Sequence, residues 1–132
     1  MQPSDYTVSL EMAQRPELHA AMRKAGCWAA RLEWEKLPDE PGWAIAYSSS
    51  ADLTQLPAWS YNELICAAVA LANELEDTDY ALSIIGLSIM PGERTQAHGT
   101  NEDDMTLFLT ESAHGPDALA ELVIALAAEV TP

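Results

Sequence analysis

The sequence predicts an α+β fold, a two-layer sandwich in which a mainly antiparallel sheet of four to five strands carries about three helices on one face. Two observations predict it. Strand-like segments occur in two pairs, the first joined by a short turn-forming tract and the second by a longer polar loop, and three segments with helical spacing of apolar residues separate or follow them. The 132 residues, 48% of them hydrophobic, suffice to bury a core without disulfides or a structural metal, and they read as a single acidic domain over 1–132.

Thr7 to Met12, with Val8, Leu10 and Met12 on one side, reads as a first strand. Pro16 and Glu17 open a helix whose inward stripe is Leu18, Ala21, Met22 and Ala25, and Gly26 stops it. From Trp28 the period becomes two: Trp28, Ala30, Leu32 and Trp34 alternate with Ala29, Arg31, Glu33 and Glu35, the pattern of a half-buried strand. The tract Pro38-Asp39-Glu40-Pro41-Gly42 turns the chain, and Trp43 to Ser48 returns as the hairpin partner.

The second helix has the best-specified start. Ser60 and Glu63 have the spacing of a capping box, with Trp59 and Leu64 placed for a hydrophobic staple. Leu64, Ala68, Leu71 and Leu75 recur at helical spacing, and Ile65, Val69 and Ala72 widen the stripe, which predicts a mostly buried element. It ends in Glu74, Glu76, Asp77 and Asp79. Carboxylates there oppose the helix dipole at a cost of about a few tenths of a kcal/mol each, so stability alone does not select them.

Tyr80 to Met90 is apolar on both faces and reads as a central strand, with Gly86 marking a bulge or a close approach. Pro91 to Asp104 reads as a long polar loop containing the acidic run Glu102-Asp103-Asp104. Met105 to Thr110 alternates again. Pro116 opens a last helix with Leu119, Leu122, Val123, Leu126 and Val130 on its apolar face and Asp117, Glu121 and Glu129 outside.

Charge is the most informative property. Twenty-one acids against six bases give a formal charge of −15. Residues 1–36 are balanced, five acids to five bases, whereas residues 37–132 hold sixteen acids and a single base, Arg94. A surface of that sign disfavours direct nucleic-acid binding and docking on an anionic membrane, because both need clustered Lys and Arg. It attracts a basic protein instead, although acidity for solubility alone accounts for the same composition.

Catalytic signals are weak. The three histidines, His19, His98 and His114, are scattered and no paired-ligand spacing involves Cys27 or Cys66, so neither a metal nor another cofactor is expected. Asp103 and Asp104 with His98 lack the spacing of a cation loop. Cys66 lies in an Ile-Cys-Ala-Ala-Val run that reads as core, His114 precedes Gly115-Pro116 as a turn residue, and Ser48-Ser49-Ser50 lacks the glycines of a nucleophile elbow. Trp28, Trp34, Trp43 and Trp59 surround the first hairpin, as core aromatics or as the lining of a groove. The absence of a basic segment followed by an apolar run at the start, and the two cysteines read as free thiols, lead to the expectation of a reduced, cytoplasmic protein.

These observations predict a non-catalytic protein-binding inhibitor that covers the basic, nucleic-acid-binding surface of a partner with Glu74, Glu76, Asp77, Asp79, Glu102, Asp103 and Asp104. Phage anti-defence proteins, anti-CRISPR proteins among them, follow this logic, and the likeness is one of charge and size. An immunity protein or antitoxin that neutralises a basic nuclease toxin obeys the same physics. A small enzyme or ligand-binding domain with a Trp-lined pocket is the third reading. The sequence leaves the oligomeric state open, a homodimer included.

Overall fold

In the computed structural model, residues 2–27, 29–39, 41–48 and 56–130 are described. Among the described residues, two antiparallel three-stranded sheets and five helices replace the single larger sheet expected, so the α+β class holds while the layering of one four-to-five-stranded sheet under three helices does not. Trp28, Glu40, Ser49 and Ser50, which entered the strand, turn and serine readings, lie outside the described residues.

The expected first strand is instead two short helices, α1 (Pro3–Tyr6) and α2 (Leu10–Ala13), flanking an isolated bridge from Thr7 to Ser60. Ser9 decides this. Its hydroxyl accepts from the Met12 amide at 3.1 Å and caps α2, while its own N–H and O–H donate to the Asp117 carboxylate at 2.8 and 2.6 Å. A side chain that satisfies the first helical amides outcompetes a strand that has one bridging residue to pair with.

Helix α3 (Pro16–Lys24) follows the sequence expectation: Leu18, Ala21 and Met22 are buried, and Gly26 leaves it at φ +84°, where a glycine carries no steric penalty. Strands β1 (Leu32–Lys36) and β2 (Trp43–Tyr47) form the expected hairpin, and a two-residue strand β3 (Leu56–Pro57) pairs with the other edge of β1. Trp34 turns inward and donates from its indole nitrogen to the Val8 carbonyl at 3.0 Å. Glu33, assigned by alternation to the outer face, is nevertheless 6% exposed.

The capping box of α4 (Tyr61–Glu74) forms as its spacing requires: Ser60 accepts from the Glu63 amide, and Glu63 accepts from the Ser60 amide. The second oxygen of Glu63 also accepts from the Arg31 amide at 3.0 Å, joining the helix start to the chain leading into β1. The second sheet has the order β4 (Ile84–Met90), β5 (Arg94–Thr100), β6 (Thr106–Ser112). This corrects two readings. The segment 91–104 is not one loop but contains the middle strand, and the apolar segment up to Met90 is an edge strand rather than a central one.

Helix α5 (Gly115–Glu129) organises the whole, packing on β5 and β6 along one side and on α3 and α4 along others. Leu119, Leu122, Val123 and Leu126 are fully buried with Trp59, Leu64, Leu71 and Leu75 in one continuous cluster. At its C-terminus Lys24 of α3 donates to the carbonyls of Ala127 and Val130 at 2.9 and 2.6 Å, meeting both the unpaired groups and the negative end of the dipole.

Candidate functional site

The seven carboxylates singled out in the sequence are all exposed. Leu75 sets the first four in place. It is buried beneath the end of α4, and Thr78 folds back so that both its amide and its hydroxyl donate to the Leu75 carbonyl at 3.0 and 2.8 Å. The tight loop that results leaves Glu76, Asp77 and Asp79 in solvent. It also satisfies a C-terminal carbonyl that a basic side chain would otherwise complement.

Asn101 organises the other three. Its side-chain oxygen accepts from the amides of Asp103 and Met105, each at 3.0 Å, and its own amide donates to the Met105 carbonyl at 2.9 Å. Asp104 is thereby held at φ +62°, a left-handed conformation that Asp and Asn tolerate better than most residues. Glu102, Asp103 and Asp104 sit on a defined turn between β5 and β6.

The tertiary structure brings the two segments to the same end of the second sheet. The Ser83 amide donates to the Thr100 carbonyl at 2.8 Å, Ile84 pairs with Thr100, and Thr100 pairs with Thr106 across the turn. Leu82 lies directly over Gly99, and the Tyr80 ring stands 5.8 Å from that of Phe108. No Lys or Arg occurs in residues 56–93 or 95–130, the segments that build this end. Arg94 stands at the opposite end of β5, bonded to Glu111; Arg15 bonds Glu17 and Glu121. The guanidinium of Arg15 is held above its ordinary pKa by the hydrogen bond to Glu17, with burial pulling against it and Glu121 adding to the rise.

Beside this acidic end runs a groove of about 410 Å³ between α4 and β4. Ile65, Val69 and Ala72 form one wall, Leu82, Ile85 and Leu87 the other, and the buried Leu119 lies beneath them at its floor. None of the groove's lining residues is charged. The sequence reading placed Ile65 and Val69 in the core; they are 40% and 46% exposed. The signal was present in both walls, as a helical stripe wider than one face needs and a strand apolar on both faces. Burial was the wrong inference from it.

The remaining candidates are engaged structurally. His114 is the N-cap residue of α5 and donates to the Thr7 carbonyl at 2.6 Å, as its turn position suggested. His19 donates to the Ala13 carbonyl at 2.7 Å. His98 shares a hydrogen bond with Ser88 at 3.3 Å and lies so close over Gly86 that a Cβ there would stand 2.6 Å from the ring, which explains that glycine as a close approach. Cys66 is exposed, a correction to the buried thiol expected, because α4 turns that face outward; Cys27 is half-buried, and burial pushes its pKa up, with Cys66 and Glu63 adding to the effect. Trp59 is in the core, Trp34 is bonded to Val8 and Trp43 is partly in solvent, so these three tryptophans have separate roles.

Among the described residues, no helix is long and apolar enough to cross a membrane. Comparison with known proteins found no matching family model, no matching curated protein and no matching solved structure.

Proposed function

We propose that this protein is a non-catalytic inhibitor that binds a basic protein and covers its nucleic-acid-binding surface. One observation carries the reading: two acidic segments separated in sequence by a hairpin come to the same end of the second sheet, on segments that contain no Lys or Arg. Isolated acids confer solubility equally well, whereas seven carboxylates gathered on two adjoining segments create a local field that steers a cationic surface into register. A nuclease toxin and a nucleic-acid-binding defence protein present the same basic surface, and the chemistry serves for either.

Exposed ion pairs contribute only about 0–1 kcal/mol each, so a tight complex also needs a desolvated apolar contact near its centre. The groove beside the acidic end is placed to supply one.

The test replaces Glu74, Glu76, Asp77, Asp79, Glu102, Asp103 and Asp104 by the corresponding amides and measures binding to a panel of purified basic nucleases and nucleic-acid-binding proteins at low and high salt. The parent protein is expected to bind a member of the panel in competition with DNA, and the amide variant to lose both affinity and salt dependence. Unchanged affinity and unchanged salt dependence would refute the proposal.

A further inference from the structure

We infer that the groove between α4 and β4 receives an extended segment of the basic partner, which adds to the free edge of β4 as a fourth strand. The inference rests on the masking role proposed above and identifies how the partner is held.

Three observations lead to it. First, β4 ends the sheet: it pairs with β5 along seven residues and with no other strand among the described residues, so its outward amides and carbonyls form a template for another strand. Second, the devices that usually protect such an edge are missing. Ile84–Met90 contains no proline and no charge, and Ile89 is 88% exposed. Third, the apolar groove runs alongside, with Leu87 and Val69 facing solvent from opposite walls. An added strand would send every second side chain toward that groove.

Charge decides the occupant. The groove is uncharged, yet Asn73 and Ser83 in its lining adjoin the loop that bears Glu76, Asp77 and Asp79. With a Debye length of about 8 Å at physiological salt, those carboxylates act only on charges close to them. They therefore select a segment that is apolar at alternate positions and carries Lys or Arg where it leaves the groove. A second copy of this chain fits poorly. Antiparallel pairing about Leu87 would set the acidic end of one protomer against the partner's 91–94 turn, where Arg94 is already bonded to Glu111.

The test uses synthetic peptides of about ten residues with alternating Val and Thr, flanked by two Lys or two Glu at each end, and a Lys-flanked control with a central Pro that cannot complete the ladder. Amide hydrogen exchange and chemical shifts of the intact protein report the site. The Lys-flanked peptide is expected to protect the amides of residues 84–90 and to bind about tenfold or more tightly than the Glu-flanked one. Leu87→Lys and, on the other wall, Val69→Lys should each abolish that protection; Val69 is already half in solvent, so its variant keeps the test valid if Leu87→Lys folds poorly. Absence of β4 protection with every peptide, or equal binding of Lys- and Glu-flanked peptides, overturns the inference. So does β4 protection without peptide accompanied by dimer in sedimentation, which assigns the edge to a second copy. If both groove variants still bind the basic partner while the amide variant does not, masking stands and the groove inference falls. If all of them bind equally well, masking itself falls.

Discussion

Leu82 and Gly99 form the seat on which the acidic loop rests, and their fit makes a quantitative prediction. A Cβ placed on Gly99 would lie 2.6 Å from Cδ1, 3.2 Å from Cδ2 and 3.5 Å from Cγ of Leu82, and these are its three nearest atoms. Carbon atoms prefer about 3.5–4.0 Å, so the methyl of Gly99→Ala intrudes by about 1 Å into a side chain that has the sheet beneath it. Overpacking of this kind costs about 1–3 kcal/mol, offset by about 0.5–1 kcal/mol because Ala is a better strand residue than Gly. The net expectation is a destabilisation of about 1–2 kcal/mol. Leu82→Ala alone removes a half-buried isopropyl group and costs about 2 kcal/mol, near the low end for such truncations. In the Leu82→Ala background the new methyl enters vacated space, and Gly99→Ala becomes neutral or stabilising. Equilibrium urea unfolding of the four proteins, followed by far-ultraviolet circular dichroism, closes a double-mutant cycle whose expected coupling is about 1–3 kcal/mol. Additivity within about 0.5 kcal/mol would refute the packing argument, and with it the claim that Leu82 fixes the loop bearing Glu76, Asp77 and Asp79.

Two further predictions concern the turn and the thiol. Asp104→Gly removes the penalty of a left-handed non-glycine residue and should stabilise by up to about 1 kcal/mol, whereas Asn101→Ala removes two side-chain acceptances and should destabilise by about 1–2 kcal/mol, both read from thermal melts. Burial raises the pKa of Cys27, so the fold favours its neutral form. That contribution to stability is fully present below the thiol's unfolded value of about 8.5 and is lost as pH rises through the higher native one. In a Cys66→Ser background, alkylation of Cys27 should accordingly be slower in the native protein than in urea, with its pH midpoint displaced upward; identical midpoints would contradict the burial argument.

The two sheets show why pattern reading succeeded and failed where it did. The first hairpin was legible because Trp34 and its neighbours alternate with charged residues around a Pro-Gly turn. The middle strand of the second sheet is hidden in the sequence because the inward positions of Arg94–Thr100 include the small Ala97, fully buried, and Gly99, which admits Leu82, and these contribute almost no hydropathy. β4 misleads for the opposite reason: an apolar strand looks central whether its neighbours are another strand or solvent. Of the candidate site, the seven carboxylates are legible in the sequence, whereas the apolar walls of the groove carry the same hydropathy as core residues.

Local chemistry settled the ends of elements without help from the rest of the molecule. Ser60 with Glu63 starts α4, Gly26 stops α3, and the neutral opening segment and acidic remainder are properties of the chain itself, because caps, turns and charge counts depend on residues a few positions apart. Which strand is an edge, which apolar face stays uncovered, and that the loop after α4 meets the turn after β5 are decided by contacts between residues far apart in the chain. Those depend on which surfaces compete to cover one another, and a one-dimensional pattern of hydropathy carries no record of the winner.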